Sequence, residues 1–161
     1  MNKKQQWSFI FAGALAIAAP SLAAQVGQPQ TIQERARGAA RVVVATVTAT
    51  SARHERNEFG DDLIITRAQL TVDDAVKGSA APATLVIEGG TVDGITMRVS
   101  DLPSLKKGER AVFFLAPGRG GEFQPHLRGQ GILKLDKDNR VPDSSLTLDE
   151  IRRLTASAGG K

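Results

Sequence analysis

A chain of 161 residues with 21 basic and 17 acidic side chains carries a formal net charge of +4, too mild and too interleaved a bias for a nucleic-acid footprint. It has no cysteine, which excludes disulfides, thiolate zinc sites, thiol redox chemistry and a cysteine nucleophile. There is no tyrosine, and the phenylalanines beyond the first stretch, Phe59, Phe113, Phe114 and Phe123, make a poor platform for stacking single strands.

The chain opens with Lys3 and Lys4, an apolar run over residues 7–19, then Pro20, Ser21 and the small-residue site Leu22-Ala23-Ala24-Gln25. This is the layout of a secretory signal peptide over residues 1–24, cleaved after Ala23 or Ala24. The apolar run is too short for a spanning helix, which needs about 20 residues. With no twin arginine and no lipid-accepting cysteine, the expected product is free, soluble, and periplasmic or secreted. Its net charge falls to +2 once Lys3 and Lys4 are removed.

Residues 25–30 read as a linker, residues 31–158 as one domain and residues 159–161 as a disordered tail. Thr31-Ile32-Gln33-Glu34 forms a capping box for a short helix over residues 32–38, with Gly38 able to end it. "RVVVATVTAT", residues 41–50, is rich in β-branched side chains and predicts a strand. Residues 51–62 are polar and end in the turn signal Phe59-Gly60-Asp61-Asp62. Residues 63–73 then alternate, with Ile64, Thr66, Ala68, Leu70 and Val72 on one side and Ile65, Arg67, Gln69, Thr71 and Asp73 on the other. The two segments make a long hairpin with an extended tip.

Further strands are expected at "ATLVIE" (83–88), at the alternating Ile95, Met97 and Val99, and at "ERAVFFL" (109–115), which is continuous enough to be buried on both faces. Two more follow at residues 122–126 and 131–135. A second capping box, Thr147-Leu148-Asp149-Glu150, opens a C-terminal helix with Leu148, Ile151 and Leu154 on one face. The expected fold is mainly β: a small antiparallel OB-like barrel with a short N-terminal and a C-terminal helix, in which Ile64, Leu70, Val99 and Phe114 share one interior.

No stretch assembles a catalytic or metal site. Gly89, Gly90 and Gly94 lead into an alternating strand instead of a helix, so no helix N-terminus supports a phosphate, and the glycines serve strand connections. His54-Glu55-Arg56-Asn57-Glu58 begins like a zinc-protease helix but lacks the second histidine. The stretch from Asp136 offers Arg140, Val141 and Thr147 where a calcium loop needs an oxygen ligand, a glycine and a glutamate. No serine sits in a nucleophile elbow, and the neighbouring acids Asp61-Asp62 and Asp73-Asp74 point to opposite faces of a strand. The sequence therefore assigns no catalytic residue, no metal and no cofactor.

The order "VVVATVTAT", "LIITRAQLTVDDAVKGS", "ATLVIEGG" and "KKGERAVFFLAPG" resembles the netrin-type module, the OB-type barrel of the tissue inhibitors of metalloproteinases, and more closely a group of exported bacterial proteins. The likeness covers residues 31–136. It implies a five-stranded barrel with a binding or inhibitory role and no catalysis. Those inhibitors chelate zinc through an N-terminal cysteine that this chain lacks, so their mechanism does not carry over.

On that basis the expected role is a non-enzymatic module that binds another extracytoplasmic protein through its rim loops. The contacts expected are His54, Glu55, Arg56 and Phe59 at the hairpin tip, Val92 and Asp93 in the glycine loop, and Arg119 and Phe123 further on. Two alternatives predict different clusters. A small exported hydrolase would place a serine or acid beside His54 or His126, and an anionic-polymer binder would gather Arg35, Arg37, Arg98, Arg119 and Arg128 on one face.

Overall fold

The computed structural model describes residues 29–57 and 59–159. The expected signal peptide, most of the linker and the last two residues of the tail lie outside the described residues. Among the described residues, eight strands and two α-helices form in chain order: α1 (Ile32–Gly38), β1 (Arg41–Arg56), β2 (Asp62–Lys77), β3 (Ala83–Glu88), β4 (Gly90–Val92), β5 (Ile95–Met97), β6 (Arg110–Pro117), β7 (Phe123–Pro125), β8 (Ile132–Lys134) and α2 (Leu148–Ala158). Among the described residues no helix is long and apolar enough to cross a membrane.

Five strands close a ring in the order β1-β2-β3-β7-β6 and back to β1. All the pairings in it are antiparallel except β3 with β7, which runs parallel through Leu85 and Phe123. Beyond β7, β8 continues along the same edge of β6. Closure leaves these strands few free edges, as a disulfide-free β protein requires. The OB-like barrel with a helix near each end is thus as expected.

Gly90–Val92 is a strand where the sequence reads as a loop, and two larger features differ from the sequence expectation. First, β1 and β2 are longer than residues 41–50 and 63–73. They pair as far as Arg56 with Asp62, so residues 51–56 are strand and not loop. Their polar composition disguised them because this half of the hairpin projects as an arm. The β4–β5 hairpin covers only one face of that arm, with Gly90 set against Ala52, Ile64 and Thr66. The hairpin itself turns through Asp93 (φ 49°) and Gly94 (φ 80°). Two positive φ values define the type I′ loop, whose twist suits a two-residue hairpin.

Second, there are two apolar clusters instead of one interior. Val43, Val47, Leu70, Leu85, Phe113 and Leu115 fill the barrel. Val42, Val44, Val112 and Phe114 point the other way and receive Ile32 and Ala36 of α1 and Leu148 and Ile151 of α2. Adjacent strand residues face opposite sides, so the continuous run in β6 serves both layers. Phe114 therefore does not meet Leu70, and Val99 is only half-buried in the segment after β5.

Both capping boxes are formed: Thr31 accepts from the Glu34 amide and Thr147 from the Glu150 amide, and each glutamate accepts from its threonine amide. Gly38 is the last helical residue of α1, not a left-handed cap. A Cβ there would stand 2.3 Å from His126 Nε2, so the missing side chain makes room for the imidazole. Lys77 Nζ, at the end of β2, donates to the carbonyls of Ala36 (2.7 Å) and Ala39 (2.6 Å), tying the C-terminal end of α1 to the barrel.

Candidate functional site

The alternation in β2 sends Thr66, Ala68 and Leu70 inward and Leu63, Ile65 and Arg67 outward. On β3, Val86 and Glu88 lie outward in the same way. With the β6–β7 connection, these outward positions line a groove of about 440 Å³ on the outer face of β2, β3 and β7. Its apolar floor comes from Leu63, Ile65, Val86 and Leu102, none of which is fully exposed. Asn57 of the β1–β2 loop and Gly118, Arg119 and Glu122 of the β6–β7 connection also line it.

Two arginine–carboxylate clusters flank this floor. Arg67 Nε donates to Glu122 Oε1 at 2.7 Å, and its Nη1 donates to Glu55, which also accepts from Arg53 Nε at 2.5 Å. The first cluster thus links β1, β2 and the β6–β7 connection. In the second, Arg128 donates to Asp101 Oδ2 at 2.5 Å and to Glu88 Oε2 at 3.2 Å. Both arginines are held more strongly protonated than usual by these acceptors, Arg67 chiefly by Glu55 and Arg128 chiefly by Asp101.

Hydrogen bonds from Arg67 and then Arg53 hold the Glu55 carboxyl below the usual carboxylate range, and Arg128 does the same to Asp101. A carboxyl depressed in the folded state adds stability above its unfolded pKa, about 3.9 for Asp and 4.3 for Glu. That contribution is lost as pH falls through the folded value. Thermal midpoints are therefore expected to drop as pH is lowered from about 5. The drop is expected to be shallower in Arg67→Met, which lacks the largest of the Glu55 interactions. Equal acid slopes in the two proteins would exclude the Arg67 cluster as their source.

Of the residues singled out from sequence, Glu55 and Arg119 line the groove. His54 and Arg56 are exposed on β1 and do not line it. Phe59 stands at the arm tip, 83% exposed. Its amide and that of Asp61 both donate to Asn57 Oδ1 at 2.9 Å, which fixes the turn. Val92 and Asp93 belong to the separate β4–β5 hairpin. Phe123 is partly buried against the barrel interior, with the Arg41 guanidinium 5.0 Å from its ring centre, so its ring is a packing element.

The alternative clusters also have definite places. His54 is on the arm, whereas His126 packs beside Gly38, and neither lines the groove or the roughly 550 Å³ cavity that Thr66, Ile87, Gly90, Met97, Val99 and Leu105 help to line. Burial, and then Lys77, holds the His126 imidazole below the usual histidine range. Arg119 and Arg128 border the groove and Arg98 the other cavity, while Arg35 on α1 donates to the backbone carbonyls of Gln30 and Gln130.

Leu63, Ile65, Val86, Arg67 and Glu122 were not singled out from sequence. One signal was there: Leu63 and Ile65 are apolar at positions that the alternation assigns to the outward side. The ion clusters gave none, because Arg67 and Glu122 are 55 residues apart.

Compared with protein-family models and with curated proteins, the chain matches none.

Proposed function

We propose that the chain is an exported netrin-type barrel that binds another extracytoplasmic protein along the outer face of β2, β3 and β7, without catalysing a reaction on it. The observation that carries this reading is the groove, an apolar floor of Leu63, Ile65 and Val86 between two arginine–carboxylate clusters. An apolar centre with a charged rim is the anatomy of a protein-binding patch, and arginine is enriched among the residues that anchor such contacts. Barrels of this architecture use that strand face and the loops that frame it. Phe59 adds an exposed aromatic side chain at the end of the arm. The leader pattern in residues 1–24 supports export.

Capture from the native extracytoplasmic fraction tests the proposal, with wild type and Ile65→Glu used side by side. Ile65 is half-buried on the outer face, so the variant places a charge on the groove floor and leaves the barrel interior intact. The expected result is one stoichiometric protein held by wild type and lost with the variant. Equal recovery with both baits, or recovery of a polysaccharide in place of a protein, would overturn it.

A further inference from the structure

The groove leaves one feature of β1 unused. Strand β6 covers the outer edge of β1 only from Arg41 to Thr46, and Gly108 and Glu109 bond to Val47 just beyond. After the register shift between Val47 and Ala49, β1 runs on to Arg56 paired with β2 alone. The Asn57 amide donates to the Asp61 carbonyl at 3.0 Å, so Asn57 and, by alternation, Glu55, Arg53 and Ser51 turn their backbone groups toward β2. Ile64, opposite His54, offers its carbonyl to Gly89 on the far side, which agrees. Thr50, Ala52, His54 and Arg56 therefore direct N–H and C=O groups to the open side. Among the described residues no strand pairs there, and the β4–β5 hairpin covers a face of the arm, not this edge.

We propose that this edge pairs antiparallel with the same edge of a second copy, centred on His54, to give a twofold-symmetric dimer. This goes beyond the groove and does not depend on it. Among twofold centres at Arg53, His54 and Glu55, the charged side chains favour one. Outward residues must meet outward residues, which limits the twofold to certain centres. A centre at Arg53 sets Arg53 against its own copy, and one at Glu55 sets Glu55 against its own copy, both destabilising. The centre at His54 sets Arg53 opposite Glu55 of the other copy, twice by symmetry, and Arg56 opposite Ala52. Arg53 and Glu55 already meet at 2.5 Å within one chain, and Glu55 also accepts from Arg67 of β2. Charges on an open edge ordinarily guard it against pairing. Here their order is self-complementary, and the ladder would gain about six backbone hydrogen bonds.

The absence of cysteine supplies a clean test. In a hydrogen-bonded antiparallel pair the two Cα atoms lie about 5.5 Å apart, inside the range a disulfide bridges. The purified protein is expected to dimerise with rising concentration in sedimentation velocity runs. Under mild oxidation His54→Cys is expected to cross-link into dimers, faster than Phe59→Cys at the arm tip. Arg53→Glu, which faces Glu55 with a like charge, is expected to raise the dimer dissociation constant about tenfold or more. Arg53 is largely exposed, and unchanged circular dichroism will confirm folding. A monomer at every concentration, or a dimer that neither cross-links preferentially through position 54 nor weakens with Arg53→Glu, would overturn the proposal.

Discussion

Phe114→Ala is expected to lower the free energy of unfolding by about 3–5 kcal/mol, and to release the two helices before the barrel opens. Phe114 is fully buried between the outer side of the barrel and both helices, in one cluster with Ile32, Ala36, Leu148 and Ile151. Small domains are stable by only about 5–15 kcal/mol, so this loss is a large share. Its distribution matters as much as its size. The N-terminal helix has seven residues and the C-terminal one eleven, too short to persist alone in water even with both capping boxes formed. Their persistence depends on the layer that Phe114 anchors. Hydrogen exchange is expected to show lost protection in both helices while amides of β2 and β3 stay protected. Phe113→Ala, one residue away, removes a ring from inside the barrel and is expected to cost a similar amount with loss of protection throughout the strands. If Phe114→Ala left the helices protected and loosened the barrel instead, the two-layer account would fail.

Features set by neighbours in sequence were readable from the chain. Thr31 with Glu34 and Thr147 with Glu150 each act over three residues, and both boxes form where the residues predict. The alternation in β2 reports a local pleat and gave its inner and outer sides correctly. The β-branched start of β1 gave a strand, and the continuous run in β6 gave a strand buried on both faces. Features set by closure were hidden. The parallel pairing of Leu85 with Phe123 joins distant segments and has no local signature. The strand character of residues 51–56 comes from pairing with β2, which overrides a composition that otherwise reads as loop. The groove follows the same division. Leu63 and Ile65 stand out as apolar groups on an outward face, but Arg67 meets Glu55 and Glu122 only because the ring brings β1, β2 and the β6–β7 connection together. Gly38 reads as a helix stop, yet its smallness serves His126, which lies far along the chain.

Gly90→Ala is the second large effect expected, a loss of about 2–4 kcal/mol from combined strain and overpacking. Gly90 has φ 142°, a conformation in which a side chain is strained whatever the space around it. Space is lacking as well. A Cβ would lie 2.4 Å from Thr66 Oγ1, 3.1 Å from the Ala52 Cβ and 3.2 Å from Ile64 Cγ2. Thr66 has little freedom to retreat, because it is buried and its hydroxyl donates to the Gly89 carbonyl at 2.5 Å. The β4–β5 hairpin can sit on the inner face of the arm only where the backbone comes this close. Gly94→Ala supplies the contrast. Its φ is also positive, at 80°, but a Cβ there meets nothing within 4 Å, so only the backbone cost of about 1–2 kcal/mol applies. Combining Gly90→Ala with Thr66→Ala is expected to recover part of the loss, making the pair less than additive in a double-mutant cycle. Chemical denaturation of wild type, Gly90→Ala, Thr66→Ala, the double variant and Gly94→Ala measures each term. If Gly90→Ala costs no more than Gly94→Ala, or if removing the Thr66 hydroxyl gives no relief, close approach of backbone to Thr66 is not what fixes the hairpin on the arm.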